Sequence, residues 1–236
     1  MILIKSMQET TKYLCENIQG CVLGYTQSDE ITLILVDYQK LTSSAWFDYE
    51  VQKMCSVAAS MATMAFNKFF ERNVADGYEH RYDVKDECSM PYDLYKTYTN
   101  AINKGAMFDA RVFNIPKEEV TNLIYWRQLD ATRNSIQMVG QANFSHKELQ
   151  NKTCNMIQDM LYEQKGINWN DFPTYQKRGT CIVRNKIVID SDGITKTAML
   201  RDTTKSENEW FIDEDMPILK GEDRKYIDNL IYVGEF

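Results

Sequence analysis

The sequence predicts an α+β fold in which an antiparallel sheet is covered by helices. Two short apolar runs rich in β-branched residues flank a polar turn at 27–30, a pattern typical of a hairpin. Apolar residues recur at helical spacing over 46–70 and again after Pro116. The elements therefore follow the order helix, hairpin, long helix, strand, helix, which favours helices packed on an antiparallel sheet.

The first predicted elements are a helix over about 3–18 and the hairpin that follows it. The helix is indicated by apolar residues at helical spacing, namely Leu3, Met7, Leu14 and Ile18. Gly20 follows as a helix C-cap. The hairpin strands are the runs 21–25 and 31–36, which are too short for typical helices.

In the middle of the chain, the sequence predicts a long helix, a loop and a strand. Residues 46–70 carry Met, Ala, Val and Phe on one broad face, which we interpret as core packing. Residues 71–104 are polar without clear periodicity and predict a long loop. Residues 107–113 alternate between apolar and polar side chains and predict a strand.

The second half predicts further helices and a second hairpin. Pro116 opens a helix that runs to about Asn143, because proline is tolerated in the first turn. Another helix covers 153–164 and stops near Gly166. The later elements are a hairpin over 178–189 that turns near Asn185, and a final ordered segment at about 223–232.

Composition narrows the class of protein. The 236 residues are 44% hydrophobic, which supports a sizeable core, and no apolar run approaches the length of a membrane span. The six cysteines include no Cys-x-x-Cys pair and there are two histidines, so we expect free thiols in a reducing cytoplasm rather than a zinc site. The net charge of −7 argues against a broadly basic nucleic-acid surface, although a local basic strip can still bind phosphate.

The turn Gln27-Ser28-Asp29-Glu30 is the most informative candidate site. Adjacent side chains of a regular strand point to opposite faces, but at a turn two carboxylates can converge. Converged carboxylates suit a hard cation such as Mg²⁺. The alternative is a solvated acidic turn, since Ser and Asp are ordinary turn residues.

Two further segments carry polar groups in unusual settings. Lys53 is the one basic residue between Ala45 and Asn67, so it either extends to solvent or meets an anion such as a triphosphate. The helical segment 126–135 is polar at mid-helix, and Arg127, Asp130 and Asn134 share one face. That face is either solvated, with one ion pair, or turned toward a polar ligand.

Basic residues in the second half are candidates for contact with an RNA backbone if several share one surface. They are His146, Lys147, Lys152, Lys165, Lys177, Arg178, Arg184 and Lys186. Solvated surface charges are the alternative. A general-base role for His146 has no neighbouring nucleophile to support it.

Four motifs, taken together and in order, resemble the tRNA-His guanylyltransferase family, and in particular its bacterial-type branch. The motifs are Gly24-Tyr25-Thr26-Gln27-Ser28-Asp29-Glu30, Phe108-Asp109-Ala110-Arg111-Val112, Trp126-Arg127-Gln128-Leu129-Asp130 and Lys177-Arg178-Gly179-Thr180. The resemblance covers nearly the whole chain and is strongest over about 7–65 and 105–190.

The resemblance implies a palm-like (ferredoxin-like) catalytic domain over 1–150 and a C-terminal extension over 151–236. It implies Mg²⁺-dependent 3′-to-5′ addition of nucleotides to tRNA 5′ ends, with GTP and ATP as substrates, and a homotetramer. By the same resemblance Asp29 and Glu30 are catalytic metal ligands. Ser28 and Lys53 lie near nucleotide phosphate, and Asn134 matches a position in the substrate-binding segment.

Two departures from the family pattern leave alternatives open. Thr132-Arg133-Asn134-Ser135 stands where many members carry His-Ile-Asn-Asn, so histidine-dependent steps are not carried over. The family's opening strand, with Arg-Leu-Asp-Gly and a third metal-binding carboxylate, has no counterpart in this sequence, and Asp37 and Asp109 are the conceivable substitutes. The alternatives are an impaired member that only binds nucleotide or tRNA, and a cyclase-like palm enzyme.

Overall fold

The computed structural model describes residues 2–83, 90–184, 187–189, 195–197 and 209–232. The first elements in the chain are α1 (Ile2–Asn17), β1 (Cys21–Gln27), β2 (Glu30–Leu35), a 3-10 turn (Trp46–Tyr49), α2 (Val51–Asp83) and α3 (Tyr92–Lys104). They are followed by α4 (Lys117–Asn143), α5 (His146–Leu149), α6 (Cys154–Lys165) and α7 (Thr174–Arg178). The last elements are β3 (Thr180–Arg184), β4 (Ile187–Ile189), β5 (Thr195–Thr197), β6 (Trp210–Asp213) and α8 (Lys225–Ile231).

The sheet that underlies the fold has four strands in the order β2-β1-β3-β6. β1 and β2 form the predicted hairpin, with antiparallel pairs that run from Cys21 and Leu35 to Gln27 and Glu30. β3 joins this sheet, whereas β4 pairs with β5 in a separate two-stranded sheet. The α+β prediction is confirmed. The predicted pairing of 178–184 with 186–189 is wrong because β3 and β4 belong to different sheets, and the predicted turn near Asn185 lies outside the described residues.

The chain divides into two compact units, the first comprising Met1–Ile115 and Ile182–Ile212. Its core lies where α1 and α2 meet the sheet, around Leu14, Cys15, Ala62 and Ile182. Gly24 allows α1 to lie close against β1, because a Cβ at this position would be 2.5 Å from the Cys15 sulfur. This glycine of the first motif therefore sets the distance between α1 and β1.

The second unit comprises Pro116–Cys181 and Asp213–Phe236. α4 and α6 pack around Ile136, Ile157, Leu161 and Trp169. α6 begins at the Thr153 cap, whose hydroxyl accepts from the Met156 N–H, and it ends at the left-handed Gly166, as the sequence predicts. The sequence predicts a boundary near residue 150, between a catalytic domain and a C-terminal extension. That boundary stays a prediction.

Two predictions for the middle of the chain are wrong. Residues 71–104 are mainly helical, since α2 extends to Asp83 and α3 follows; the part of the predicted loop over 84–89 lies outside the described residues. Residues 107–113 alternate in burial but form no strand with any described segment. Side chains of α2 hold this stretch instead, because Asn67 exchanges two hydrogen bonds with the Ala106 backbone and the Thr63 hydroxyl accepts from the Phe108 N–H.

Across the described ranges, no helix is both long and apolar enough to cross a membrane.

Candidate functional site

The acidic turn is the tip of the β1–β2 hairpin. Ser28 and Asp29 form the two-residue connection, and Glu30 pairs with Gln27 as the first rung of the ladder. The Thr26 hydroxyl donates to the Glu30 carbonyl at 2.9 Å, and Gln27 Nε2 donates to Glu30 Oε2 at 3.3 Å. The hairpin therefore holds Glu30 through both its backbone and its side chain.

The tip is exposed and locally strained. Ser28 has φ +51°, a left-handed conformation that costs a non-glycine residue about 1–2 kcal/mol. Ser28, Asp29 and Glu30 are all exposed. Both carboxylates are thus open to a ligand that approaches the end of the hairpin.

The oxygen donors of the two carboxylates suit the chemistry of Mg²⁺, but two carboxylates do not form a complete protein cage. Within the described residues, no group of three or more His, Cys, Asp or Glu side chains could hold a metal ion. Mg²⁺ is commonly bound through one or two carboxylates together with water and substrate phosphates. Asp29 and Glu30 match that donor set.

The two substitutes considered for a third carboxylate are engaged elsewhere. Asp37 follows the end of β2 opposite to the hairpin tip and accepts a hydrogen bond from the Tyr49 hydroxyl. Asp109 lies in the extended stretch before α4, where its exposed carboxylate is 3.7 Å from the Arg111 guanidinium. Neither joins Asp29 and Glu30 in a three-carboxylate group among the described residues.

Lys53 lies at the other end of β2 from the carboxylates. It sits in the first turn of α2 with its Nζ 4.5 Å from the centre of the Phe47 ring. β2 rises about 17 Å from Glu30 to Leu35 at ~3.4 Å per residue. The hydrogen bond between Tyr49 and Asp37 holds the turn before α2 near that far end. The structure therefore does not bring Lys53 to the Asp29–Glu30 pair within the first unit.

Asn134 belongs to the second unit, on the polar face of α4. Its Nδ2 donates to Asp130 Oδ2 at 3.4 Å, and Arg133 contacts Asp130 Oδ1 at 2.6 Å. Asp130 thus pairs with Arg133 rather than with Arg127 as the helical spacing suggested. Asn134 is half-buried, and its role in substrate binding stays a prediction.

Gln128, which belongs to the same α4 motif as Asp130, has a structural role. It is 1% exposed; its Nε2 donates to the Pro217 carbonyl at 2.8 Å, and its Oε1 accepts from the Leu219 N–H at 3.1 Å. The amide therefore satisfies two backbone groups of the segment before α8. The side chain is not available to a ligand.

The sequence predicts only part of the environment of Lys177. Lys177 Nζ donates to the Asn170 carbonyl at 2.6 Å and lies 5.6 Å from the Trp169 ring centre. Burial and, secondarily, the adjacent Arg178 charge lower the pKa of Lys177. The Lys-Arg pair was visible in the sequence, whereas its packing on Trp169 depends on tertiary structure.

The remaining basic candidates are divided between the two units. Lys165 stacks on Phe144 at 5.3 Å in the second unit, and Arg184 stacks on Trp210 at 4.7 Å in the first. Lys186 lies outside the described residues. A shared RNA-binding surface for all eight basic residues stays a prediction.

Comparison with known proteins decides the family. The family model for tRNAHis guanylyltransferase (Thg1) matches residues 2–116. A bacterial tRNA(HIS) guanylyltransferase (Thg1)-like protein, solved in complex with ATP, is 36% identical, and the match covers 99% of this chain and 81% of that chain with a TM-score of 0.72. The chain belongs to the tRNA-His guanylyltransferase family. The resemblance stated from the four motifs is confirmed.

Other relatives of this guanylyltransferase family member agree in fold. The bacterial Thg1-like protein in complex with GTP is 33% identical, with a TM-score of 0.66, and the match covers 99% of this chain and 79% of that one. The Saccharomyces cerevisiae tRNA(His) guanylyltransferase, at 18% identity and a TM-score of 0.51 over 76% of this chain and 72% of that one, supports the fold alone.

A curated relative is the uncharacterized protein R259 of Acanthamoeba polyphaga mimivirus. It is 29% identical over 184 residues, which are 73% of this chain. The guanylyltransferase-family chain spans 58% of the length of that viral protein.

Proposed function

We propose that this chain is a Mg²⁺-dependent nucleotidyltransferase that adds nucleotides in the 3′-to-5′ direction to the 5′ ends of tRNA, in tRNA modification or 5′-end repair. The observation that carries the proposal is the exposed Asp29–Glu30 pair at the hairpin tip. Membership of the tRNA-His guanylyltransferase family supports the reaction class. The nucleotides bound by the bacterial relatives support GTP and ATP as substrates.

In this proposal Asp29 and Glu30 would hold Mg²⁺ at the hairpin tip. An ion held there would supply positive charge that stabilises the transition state of phosphoryl transfer. Gln27 and Thr26 restrain Glu30 through the hydrogen bonds described above, so the carboxylate is positioned before substrate arrives. Ser28 lies beside the two carboxylates and would face the phosphates of the reacting nucleotide.

The transfer itself is a displacement at phosphorus. The 3′-hydroxyl of the incoming GTP attacks the activated 5′ phosphate of the tRNA. A new P–O bond forms to that hydroxyl oxygen, the hydroxyl proton passes to water, and the bond to pyrophosphate or AMP breaks. This chain's contribution is to position both reactants and to place Asp29 and Glu30 next to the reacting phosphate.

Lys53 and Asn134 take separate roles in the proposal. Because Lys53 lies beyond the far end of β2, it would bind a different phosphate group from the one at the hairpin tip. Asn134 would contribute to substrate binding from α4. The proposal also includes a homo-oligomeric protein in the cytoplasm that binds no membrane.

The second candidate function is binding of nucleotide or tRNA without turnover. It is favoured by one observation, that the described residues offer two carboxylates at the tip and no three-ligand metal group. Such a protein would bind RNA with a marked dependence on salt.

The two candidates are separated by incubating the chain with 5′-truncated tRNA, labelled GTP and ATP, with and without Mg²⁺. The proposed enzyme incorporates label at the tRNA 5′ end only when Mg²⁺ is present. Binding of GTP and tRNA without incorporation supports the second candidate. Formation of a cyclic nucleotide from GTP alone would contradict both.

A further inference from the structure

The turn before α2 has three consecutive residues in the left-handed region of the backbone. Phe47, Asp48 and Tyr49 have φ angles of +51°, +49° and +63°, and none of them is glycine. A residue with a Cβ is unfavourable in this region, so a run of three persists only where surrounding contacts hold it. Backbone strain of this kind is concentrated at binding and catalytic sites.

The strained turn is anchored on both sides. On the side toward β2, Gln19 Nε2 donates to the Ser44 carbonyl and to the Ser44 hydroxyl, each at 2.9 Å. On the side toward α2, the Tyr49 hydroxyl donates to the Asp37 carboxylate. These contacts keep Phe47 in its left-handed conformation and so determine where its ring lies.

The Phe47 ring links the core of the first unit to Lys53. Trp46 packs against that core, and its ring centre lies 4.7 Å from the centre of the Phe47 ring. The Lys53 Nζ lies 4.5 Å from the same Phe47 centre. An ammonium group is attracted to the negative face of an aromatic ring. A continuous series of contacts therefore runs from the core through Trp46 and Phe47 to the charge of Lys53.

The ring holds the ammonium group without neutralising it. Lys225, by contrast, is paired with the Glu222 carboxylate at 2.6 Å. In the part of the chain that the structure describes, Lys53 forms no ion pair, although Asp48 and Glu50 lie close to it in sequence. Contact with a ring leaves Lys53 its positive charge and N–H donors, which are the groups that bind a phosphate.

We infer that Phe47 is the positioning residue of Lys53, and that its ring holds the ammonium group ready for a phosphate of the bound nucleotide. Lys53 is exposed, and an exposed lysine side chain samples many rotamers whose restriction on binding weakens affinity. A side chain already held by the ring loses less freedom when the phosphate binds. The inference rests on the proposed function, from which it takes the contact between Lys53 and a nucleotide phosphate.

The test is a double-mutant cycle on GTP binding, measured by isothermal titration calorimetry with Mg²⁺ present. The variants are Phe47→Leu, Lys53→Ala and the two combined. Phe47→Leu should weaken GTP binding about threefold to tenfold when Lys53 is present, and should have no effect in the Lys53→Ala background. Phe47→Tyr keeps a ring face and should retain the wild-type affinity.

The matched control is Phe69→Leu, because Phe69 lies on α2 with the Arg72 guanidinium 4.9 Å from its ring centre. Removing this second ring should leave GTP affinity unchanged. An equal loss in Phe47→Leu and Phe69→Leu contradicts the inference. A loss in Phe47→Leu that persists in the Lys53→Ala background also contradicts it, because the ring then acts through the fold rather than through Lys53.

Nuclear magnetic resonance tests the contact without nucleotide and without activity. In a chain labelled with ¹³C at the lysine Cε positions, the Lys53 signal is the one that Lys53→Ala removes. The ring current of an aromatic face should shift the Cε protons of Lys53 upfield in the wild type and in Phe47→Tyr, and this shift should disappear in Phe47→Leu. A Lys53 signal at the ordinary lysine position in the wild type overturns the inference.

Failure of the inference is distinguishable from failure of the proposed function. Coupled losses of GTP affinity in Phe47→Leu and Lys53→Ala, in a chain that adds no nucleotide to tRNA, support the inference and contradict the proposed enzyme. Nucleotide addition by Phe47→Leu at the wild-type rate and with the wild-type dependence on GTP concentration contradicts the inference and leaves the proposed enzyme intact.

Discussion

Asp37 accepts a hydrogen bond from the Tyr49 hydroxyl, and this contact joins the chain after β2 to the turn that precedes α2. The turn needs such support because Phe47, Asp48 and Tyr49 all have positive φ. The contact holds the start of α2 at the end of β2 that is far from Glu30. Lys53 follows this contact in the chain, in the first turn of α2.

The Tyr49–Asp37 contact predicts a specific titration. The hydrogen bond to Asp37, with smaller contributions from burial and from the carboxylate charge, raises the pKa of Tyr49. Because the contact raises the pKa of Tyr49, its full contribution to the stability of the fold is present at pH values below the ordinary tyrosine pKa. That stabilisation is lost as the pH rises through the higher native value.

The measurement is the absorbance titration of tyrosinate in the wild type minus that in Tyr49→Phe. The difference should show one tyrosine that ionises above the ordinary range, and Asp37→Asn should return its pKa toward the usual value. A Tyr49 titration that Asp37→Asn leaves unchanged would show that the contact does not control this pKa.

Gln128→Leu should destabilise the second unit by about 2–4 kcal/mol, because the change leaves a partly buried carbonyl and a buried N–H without their partners. Gln137→Leu is the control, since Gln137 is exposed on the same helix, and its effect should stay within ~0.5 kcal/mol. Urea unfolding measures both. Equal effects would contradict the structural role assigned to Gln128.

Ser28→Gly should raise the free energy of unfolding by about 0.5 kcal/mol, because glycine adopts the positive φ without the penalty of a Cβ but gains freedom in the unfolded chain. Ser28→Ala keeps the penalty and should give no such gain. Both variants lose the hydroxyl, so a Ser28 contact to triphosphate predicts equally weakened GTP binding in the two. Normal GTP affinity in both would exclude that contact.

Lys53→Ala should weaken GTP binding about tenfold or more if Lys53 contacts a nucleotide phosphate, since a hydrogen bond to a charged group contributes about 1.5–3 kcal/mol. Lys68→Ala is the matched control, because Lys68 is exposed on the same helix. Isothermal titration calorimetry gives both affinities. Identical losses in the two variants would indicate a general charge effect rather than a contact.

The sequence predicted the hairpin and α4 well because their signals are local. The turn at Ser28 and Asp29, and the proline before α4, determine structure within a few residues. α3 was missed although Tyr95, Tyr98 and Ile102 recur at helical spacing. They pack on a second cluster of the first unit, formed by Met7, Phe66, Phe70 and Val74. The polar composition of α3 hid that periodicity.

Other features depend on contacts between distant residues. The stretch over 107–113 has a strand's alternation, but whether it pairs is decided by tertiary structure, and here Asn67 and Thr63 supply its partners. Lys53 follows the acidic turn closely in sequence. The direction of β2 nevertheless carries it away from Asp29 and Glu30.

The most direct test of the central claim compares Mg²⁺-dependent addition of labelled GTP to 5′-truncated tRNA by the wild type and by the double variant Asp29→Asn/Glu30→Gln. The control is Asp159→Asn/Glu163→Gln, which removes two exposed carboxylates from α6. If the hairpin tip is the transfer site, the control matches the wild type and the hairpin variant loses at least about 100-fold in rate. Addition at the wild-type rate by the hairpin variant would contradict the account.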